Sequence, residues 1–457
     1  MPYRAIGLDL DHCLVRYRIH ALQHLIYACL VRALVEQAGA PAAAFRESPP
    51  LNTLPTLVDV ESGEIDTHKD EKLDALDDTD IDTWGAAWSP HFAPKGLIFD
   101  GTTGDLLKLD ARGHVLHAWH GLLELNPQEI VARYGGVWWG FEFLLKGKRH
   151  PDFSSFLTYF DAPAALTLAQ WVHYVDGSEG ESSGSSQNSG AKALPGNSSY
   201  THLLKSHGPA FNWIFDNTAA FPTGRGGFFA ALRRHPSRYL VSRRGAGNAM
   251  RSLRSKGVKI ILVTNSTPIF ARFLLNSVIG ADWRTCFDAM FYSSNKPEWF
   301  SGSQPLFPAP PPGEELIAPP ISTPIACVTL EGGEFMGGSA SLLHQALTSN
   351  KNKNAIAEDS EGLTNCLYVG DHLHGDVLAA RMCSHGQWEA GAIIEELFWE
   401  VEGREKEGGA SPWGSFFSHP PTGEDSFWGK LVKDHANLTA EDAEKLLQTL
   451  VQKNELF

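Results

Sequence analysis

Short apolar runs rich in Val, Ile and Leu punctuate the chain, and segments with helical spacing follow them. Residues 5–10, 258–263, 289–292, 366–369 and 392–394 read as strands. Strands alternating with helices predict an α/β fold, a parallel sheet flanked by helices. The second run is the most explicit. Residues 249–256 carry a helical pattern, Gly257 stands where a C-terminal cap belongs, KIILV follows as a buried strand, and Pro268 after Thr267 opens the next helix.

Between the first and second strands lies far more chain than one crossover helix requires. Residues 21–244 therefore predict a large, mainly helical insertion, with helices over 21–37 and 162–175 and a hairpin within 96–121. The core is then discontinuous, residues 1–20 together with 245–405, and residues 406–457 form a C-terminal helical tail. In that tail residues 439–451 read as a helix with a capping box of Thr439 and Asp442 and an apolar face of Leu446, Leu447, Leu450 and Val451. Three stretches have linker composition and read as surface loops: 177–199 is rich in Gly and Ser, 301–324 in Pro, and 350–362 is polar. No internal repeat recurs at a fixed period.

Composition narrows the function. Hydrophobic residues make up 43% of 457 and charged residues 20%, so most of the chain folds. A net charge of −15 leaves no positive surface for a nucleic-acid polymer or an anionic membrane. The 6 cysteines are scattered without C-x-x-C spacing, which suits a reducing compartment. No apolar run approaches the ~18 residues that span a bilayer, and Asp9 and Asp11 interrupt any leader at the start, so a cytoplasmic protein is expected. A homo-oligomer is left open.

Four motifs fall at the carboxyl ends of predicted strands, the edge where open α/β sheets bind ligands. GLDLDHCLVRY presents Asp9 and Asp11, and VTNST presents Thr264 and Asn265 at a helix start. SSNKP presents Lys296, and YVGDHLHGD presents Asp371 and Asp376. Each alone has an ordinary structural role as a turn, cap or solvated charge; four on one edge point to chemistry on a phosphate dianion. A carboxylate nucleophile approaches such a dianion only when cations offset the repulsion, and Mg²⁺ held by oxygen ligands does so. Asp9 is assigned as nucleophile and Asp11 as general acid, then base. Mg²⁺ would be held by Asp9, Asp371, the backbone carbonyl of Asp11 and Asp376, the last directly or through water. Thr264, Asn265 and Lys296 would bind the phosphoryl oxygens.

The chain resembles the haloacid dehalogenase superfamily of phosphatases. Within it, the match is to the cytosolic purine 5′-nucleotidases and their 5′-nucleotidase-domain-containing relatives. The resemblance rests on DLDHCLVRY, GLIFDGTTGDLLKLD with HG following, TYFDAPAALTLAQWVHYVD, VTNS, NKPEWF, and GDHLHGD followed by IIEEL. It implies a Rossmann-like core with a cap inserted between the first and second motifs, Mg²⁺ dependence, and hydrolysis of nucleoside 5′-monophosphates. Three departures qualify it. Cys13 stands where the family usually has Thr, and its weak S–H donor would bear on Asp11. Residues 211–244 do not match the base-recognising segment of the purine-specific members. Asp105 stands where effector-regulated relatives resemble one another in Asn, and an acid there disfavours a bound polyphosphate, so activation by ATP is not expected.

Other features keep ordinary readings. His12, His372 and His374 flank the motifs without zinc-ligand spacing. Arg243, Arg244, Arg251 and Arg254 read as a solvated face, with residues 233–244 as a further candidate border of the substrate entrance. Trp399, Trp413, Phe416, Phe417 and Trp428 read as anchors of the tail. The expected function is phosphate release from a nucleoside 5′-monophosphate. Alternatives are a phosphatase of another small ester, or a nucleotide-sensing or scaffolding protein with little turnover; dehalogenation fits poorly, because a halide leaving group needs no proton from Asp11.

Overall fold

A computed structural model describes residues 3–49, 78–90, 92–182, 199–215, 227–314, 323–349, 366–383, 388–397, 412–419 and 423–453. The predicted loop at 350–362, most of the one at 177–199, part of the one at 301–324, and Trp399 lie outside them.

The chain opens with β1 (Ala5–Leu8). An insertion follows, with β2 (Leu97–Asp100), β3 (Asp105–Leu109), β4 (Val115–His120), β5 (Leu123–Glu124) and β6 (Phe153–Phe156). Then come β7 (Lys259–Val263), β8 (Ala289–Tyr292), β9 (Leu306–Pro308), β10 (Gly333–Gly337), β11 (Cys366–Gly370) and β12 (Trp388–Ile393). Near the end stand β13 (Ser418–His419), β14 (Glu424–Asp425) and β15 (Leu438–Ala440).

The main sheet is 8-stranded in the order β15-β12-β11-β1-β7-β8-β10-β9. All its pairings are parallel except β9 against β10. β1, β8 and β11 are buried at every position, which is why they read as unbroken apolar runs instead of alternating ones. Register then aligns the strand ends. Leu8 is level with Leu262 on one side and Val369 on the other, and the Asp9 amide donates to the Val369 carbonyl at 2.9 Å. The residues that follow β1, β7 and β11 therefore emerge side by side on one edge.

Two glycines make room there. A Cβ on Gly7 would come within 2.7 Å of the Tyr368 ring, and one on Gly370 would overlap the Asp376 carboxylate. Without a side chain at those places, Tyr368 crosses β1 and Asp376 folds back on the end of β11.

The insertion combines helices with a 5-stranded antiparallel sheet, order β5-β4-β3-β2-β6. The predicted hairpin is its centre: β2, β3 and β4 form a meander. The predicted helices span Ile19–Glu36 and Ala162–Ser182, the second running into the stretch read as a loop from residue 177. They pack together, and Tyr27 Oη donates to Gln170 Oε1 at 2.8 Å.

The C-terminal segment is more than a helical tail. β15 extends the main sheet beside β12, so Thr439 lies in a strand and does not cap a helix. The helix is Ala443–Lys453, and Asp442 is its cap, accepting from the backbone N–H groups of Glu444 at 2.7 Å and Lys445 at 3.2 Å. Leu446, Leu447 and Leu450 are its buried face, set against the Arg244–Ser255 helix. The aromatic anchors are in place. Trp413 Nε1 donates to the Phe92 carbonyl at 2.6 Å and Trp428 Nε1 to the Gly96 carbonyl at 2.7 Å, tying this segment to the insertion. Lys108 Nζ returns the tie by donating to the Trp413 carbonyl at 2.6 Å.

Of the arginine cluster only Arg244 is exposed, and the other three are paired. Arg243 is buried and pairs with Asp442, which also meets Arg16 at 3.3 Å, while Arg254 reaches Asp288 at 2.9 Å and Arg251 reaches Asp282 at 3.0 Å. Arg243 above all holds Asp442 below the usual aspartate range against the opposing pull of burial. Because the folded-state value is depressed, this contribution is full above the ordinary aspartate value of about 3.9 and is lost as the pH falls through the lowered one. Asp442→Ala strands a buried guanidinium and uncaps the helix; we expect a loss of about 3–5 kcal/mol at neutral pH, read from urea unfolding.

Candidate active site

Asp9 and Asp11 follow β1, Thr264 and Asn265 follow β7, Lys296 follows β8, and Asp371 follows β11. A single wide helical turn over Leu373–Leu378 then returns Asp376 toward Asp371; such turns recur at functional sites. All seven residues line one cleft of about 660 Å³ whose opposite wall is the insertion, including Phe153, Phe160, Asp161, His207 and Phe211.

The backbone is strained where these loops turn. His12, Ser293 and Asn295 have φ of 52°, 45° and 57°, the non-glycine residues with positive φ among those described. They belong to the two loops that carry Asp11 and Lys296, and strain of this kind concentrates at functional sites.

Lys296 is the hub. Its Nζ lies 2.7 Å from Asp9 Oδ1 and 2.7 Å from Asp376 Oδ1, and it donates to Tyr368 Oη at 2.9 Å. Burial pulls the ammonium down, but Asp376 and Asp9 outweigh it and hold Lys296 above the ordinary lysine value. Asn265 positions this loop: its Oδ1 accepts from the Lys296 amide at 2.6 Å and from Ser294 Oγ at 3.1 Å, and its Nδ2 donates to the Lys296 carbonyl at 3.2 Å. The amide expected to reach phosphoryl oxygens is thus turned to the loop. Thr264 Oγ1 accepts from the Ser266 amide at 3.0 Å and keeps its own proton to donate.

Carboxylate oxygens of Asp9, Asp371 and Asp376 all lie within 4.8 Å of one another. When all three are ionised, three carboxylates against one ammonium leave two negative charges, which one divalent cation offsets. Asp371 Oδ2 is buried without a partner among the described residues, an arrangement that costs about 1–3 kcal/mol unless a cation satisfies it. Burial, with the charges of Asp9 and Asp376, pushes Asp371 well above the carboxylate range. Asp9 is likewise pushed up to about 7, by burial first and then by Asp376 and Asp11, against Lys296. An all-oxygen set of this kind suits a hard divalent cation.

Asp11 stands apart from that cluster. Its Oδ1 accepts from Tyr17 Oη at 2.6 Å and its Oδ2 from Ser266 Oγ at 2.7 Å, so its side chain is not among the clustered oxygens and only its backbone carbonyl is left for a cation. Burial raises its pKa, opposed by Tyr17, Ser266 and Lys296, which favours a group that carries a proton. Cys13 does not touch it; the thiol donates to the Val369 carbonyl at 3.5 Å.

Sequence reasoning passed over Tyr17, Ser266, Ser294 and Tyr368, although each lies inside or beside a motif it used. The signal was a hydroxyl within six residues of a candidate site residue. Residues 233–244 do not line the cleft, and of the unmatched segment Phe211 and Asn212 do. Asp105 is fully buried in the insertion, accepting from Arg133 Nη1 at 2.5 Å and Tyr134 Oη at 2.6 Å and meeting His120 Nδ1 at 2.6 Å. Internal donors already occupy it.

Comparisons with known proteins identify the family. A model of the 5′ nucleotidase family matches residues 80–413. The human 5′-nucleotidase domain-containing protein 1 is 25% identical over 86% of this chain and 71% of its own length, and the Bos taurus protein of that name is 24% identical over 93% and 84%. The human 5′-nucleotidase domain-containing protein 2 is 25% identical over 69% of this chain and 53% of its own length. With the family match covering well over half of the sequence and an anionic, lysine-bridged cleft at the expected sheet edge, the chain belongs to the 5′ nucleotidase family and is a phosphomonoester hydrolase.

Proposed function

We propose that the protein hydrolyses nucleoside 5′-monophosphates with Mg²⁺, by way of a phosphorylated Asp9. The observation that carries this reading is the division of labour at the end of β1. Asp9 sits in a carboxylate cluster bridged by Lys296, while Asp11, two residues on, is held by Tyr17 and Ser266 for proton transfer.

Asp9, Asp371, Asp376 and the carbonyl of Asp11 would hold Mg²⁺, which when bound offsets the charge of the phosphoryl group. Lys296 orients Asp9 through Oδ1 and adds a fixed positive charge beside it. Asp9 forms a bond to phosphorus as the bond to the leaving oxygen breaks, and Asp11 gives its proton to that oxygen. Water then attacks the phosphorus, Asp11 takes its proton, and the bond to Asp9 breaks to release phosphate. Thr264, which lines the cleft and whose Oγ1 acts only as an acceptor among the described residues, would donate its hydroxyl proton to a phosphoryl oxygen. The insertion forms the wall opposite this chemistry, which narrows the access of bulk water to it.

Phosphate release from a panel of nucleoside monophosphates and sugar phosphates, with Mg²⁺ or with chelator, tests the reading. We expect metal-dependent release that ranks a nucleoside monophosphate first and falls by at least ~10³-fold in Asp9→Asn, since the nucleophile carries the covalent step. Release from a sugar phosphate alone would favour the other-ester reading, and none from any ester would favour a sensor. Asp11→Asn should cost about 10²–10⁴-fold with an alkyl leaving group and far less with 4-nitrophenyl phosphate, whose leaving oxygen needs no proton; equal losses would make Asp11 structural. Asp371→Asn tests the cation site by stability. Its raised folded-state value means that ionised Asp371 opposes folding at neutral pH, so the variant gains about 1–3 kcal/mol in chelator and loses the rise in Tm that Mg²⁺ gives the wild type.

A further inference from the structure

Two polar side chains that nothing above uses line the cleft together with the candidate catalytic residues, one from each wall. Asp161 comes from the insertion, in the turn before the Ala162–Ser182 helix; His372 comes from the core, directly after Asp371. Both line the cleft.

Each is locked in place by one of its polar atoms. Asp161 Oδ2 accepts from the backbone amides of Leu157 at 3.3 Å and Thr158 at 3.2 Å, and the Asp161 amide in turn donates to Thr158 Oγ1 at 3.3 Å. The Thr158 side chain also bonds this carboxyl group, and the carboxylate, with about four acceptor sites, keeps capacity toward the cleft that it lines. His372 Nδ1 accepts from the Gly375 amide at 2.9 Å, which puts the proton of the neutral ring on Nε2. No hydrogen bond or ion pair joins the two residues directly, though each lies within the other's field. The cleft therefore presents a fixed acceptor on its cap wall and a fixed donor on its core wall.

A hydroxyl group is the complement of that pair, since it donates to the carboxylate and accepts from the imidazole N–H. We propose that Asp161 and His372 bind the hydroxyls of the sugar in the leaving group, so that the enzyme prefers ribonucleotides to their deoxy counterparts. The inference rests on the nucleoside monophosphate reading and names the part of the substrate that the cap reads. A site built to hydrogen-bond a hydroxyl rejects the analogue that lacks it, because its buried groups are then left unpaired.

The test compares wild type and Asp161→Asn. The substitution keeps an oxygen for the Leu157 and Thr158 amides and turns the cleft-facing acceptor into a donor. Substrates are adenosine, guanosine, cytidine and uridine 5′-monophosphates, their 2′-deoxy and 3′-deoxy forms, and 4-nitrophenyl phosphate, which has no sugar. We expect wild type to favour the ribo form over at least one deoxy form by about tenfold in kcat/KM. Asp161→Asn should lose about tenfold on the ribo form, abolish the preference, and stay within about twofold of wild type on 4-nitrophenyl phosphate. Equal ribo and deoxy rates in wild type, or equal losses on every ester in the variant, would overturn the inference. Calorimetric binding of the same nucleotides separates it from the hydrolysis reading. If wild type released no phosphate, that reading would fall, and an Asp161-dependent ribo preference in affinity would sustain the sugar site while its absence would overturn it.

Discussion

The ammonium of Lys296 is the condition for everything else in the cleft. Asp9, Asp371 and Asp376 crowd into a volume where two like charges 4 Å apart repel by roughly 4 kcal/mol at an effective dielectric near 20. A buried cation touching two of the three makes the crowding tolerable and leaves a net charge that a divalent ion completes. Its location is not local to its own loop. Asn265 from the neighbouring strand end clamps the Lys296 backbone, and Tyr368 receives its Nζ only because Gly7 lets that ring cross β1. Four strands converge on one ammonium, and the parallel register of β1 with β7 and β11 brings them level.

The second constraint is how the insertion is held over that edge. Lys95, just ahead of β2, reaches Glu396 beyond β12 at 3.1 Å and lies over the Tyr159 ring at 4.7 Å. The C-terminal segment adds Trp413 and Trp428, which bond to the insertion, before β15 joins the core sheet. A stretch that composition marks only as an aromatic tail is thus a brace across both bodies. The cleft walls are set by contacts that lie far from the phosphate end.

What the sequence makes legible follows from physics. The buried strands β1, β7, β8 and β11 announce themselves because a strand covered on both faces is an unbroken apolar run, and the acids, amide and lysine stand directly after those runs. The two edge strands, and β10 next to one of them, lack that signal. β9 includes Pro308, β10 is bounded by Gly333 and Gly337, and β15 is three residues long, so none has a periodicity to find. Roles that depend on a side chain's direction are equally hidden. Asn265 turned to the Lys296 loop, Tyr17 on Asp11, and Asp442 as a cap instead of the third residue of a capping box all require the third dimension. Arg243 reads as solvated because its partner Asp442 lies some 200 residues away in sequence.

The central position of β1 has a cost in time. Both of its neighbours come from much later in the chain, β7 starting at Lys259 and β11 at Cys366. At about 5–20 residues per second, a ribosome takes roughly 10–50 s to make the ~250 residues that separate β1 from its first partner. Throughout that interval an apolar strand with two open edges is displayed on the nascent chain, a template for pairing with other chains. The insertion, whose meander and helices are local in sequence, can fold in the meantime. The cap can therefore form before the core it covers, since its own contacts close over short stretches of chain while those of β1 wait for the rest of the sheet.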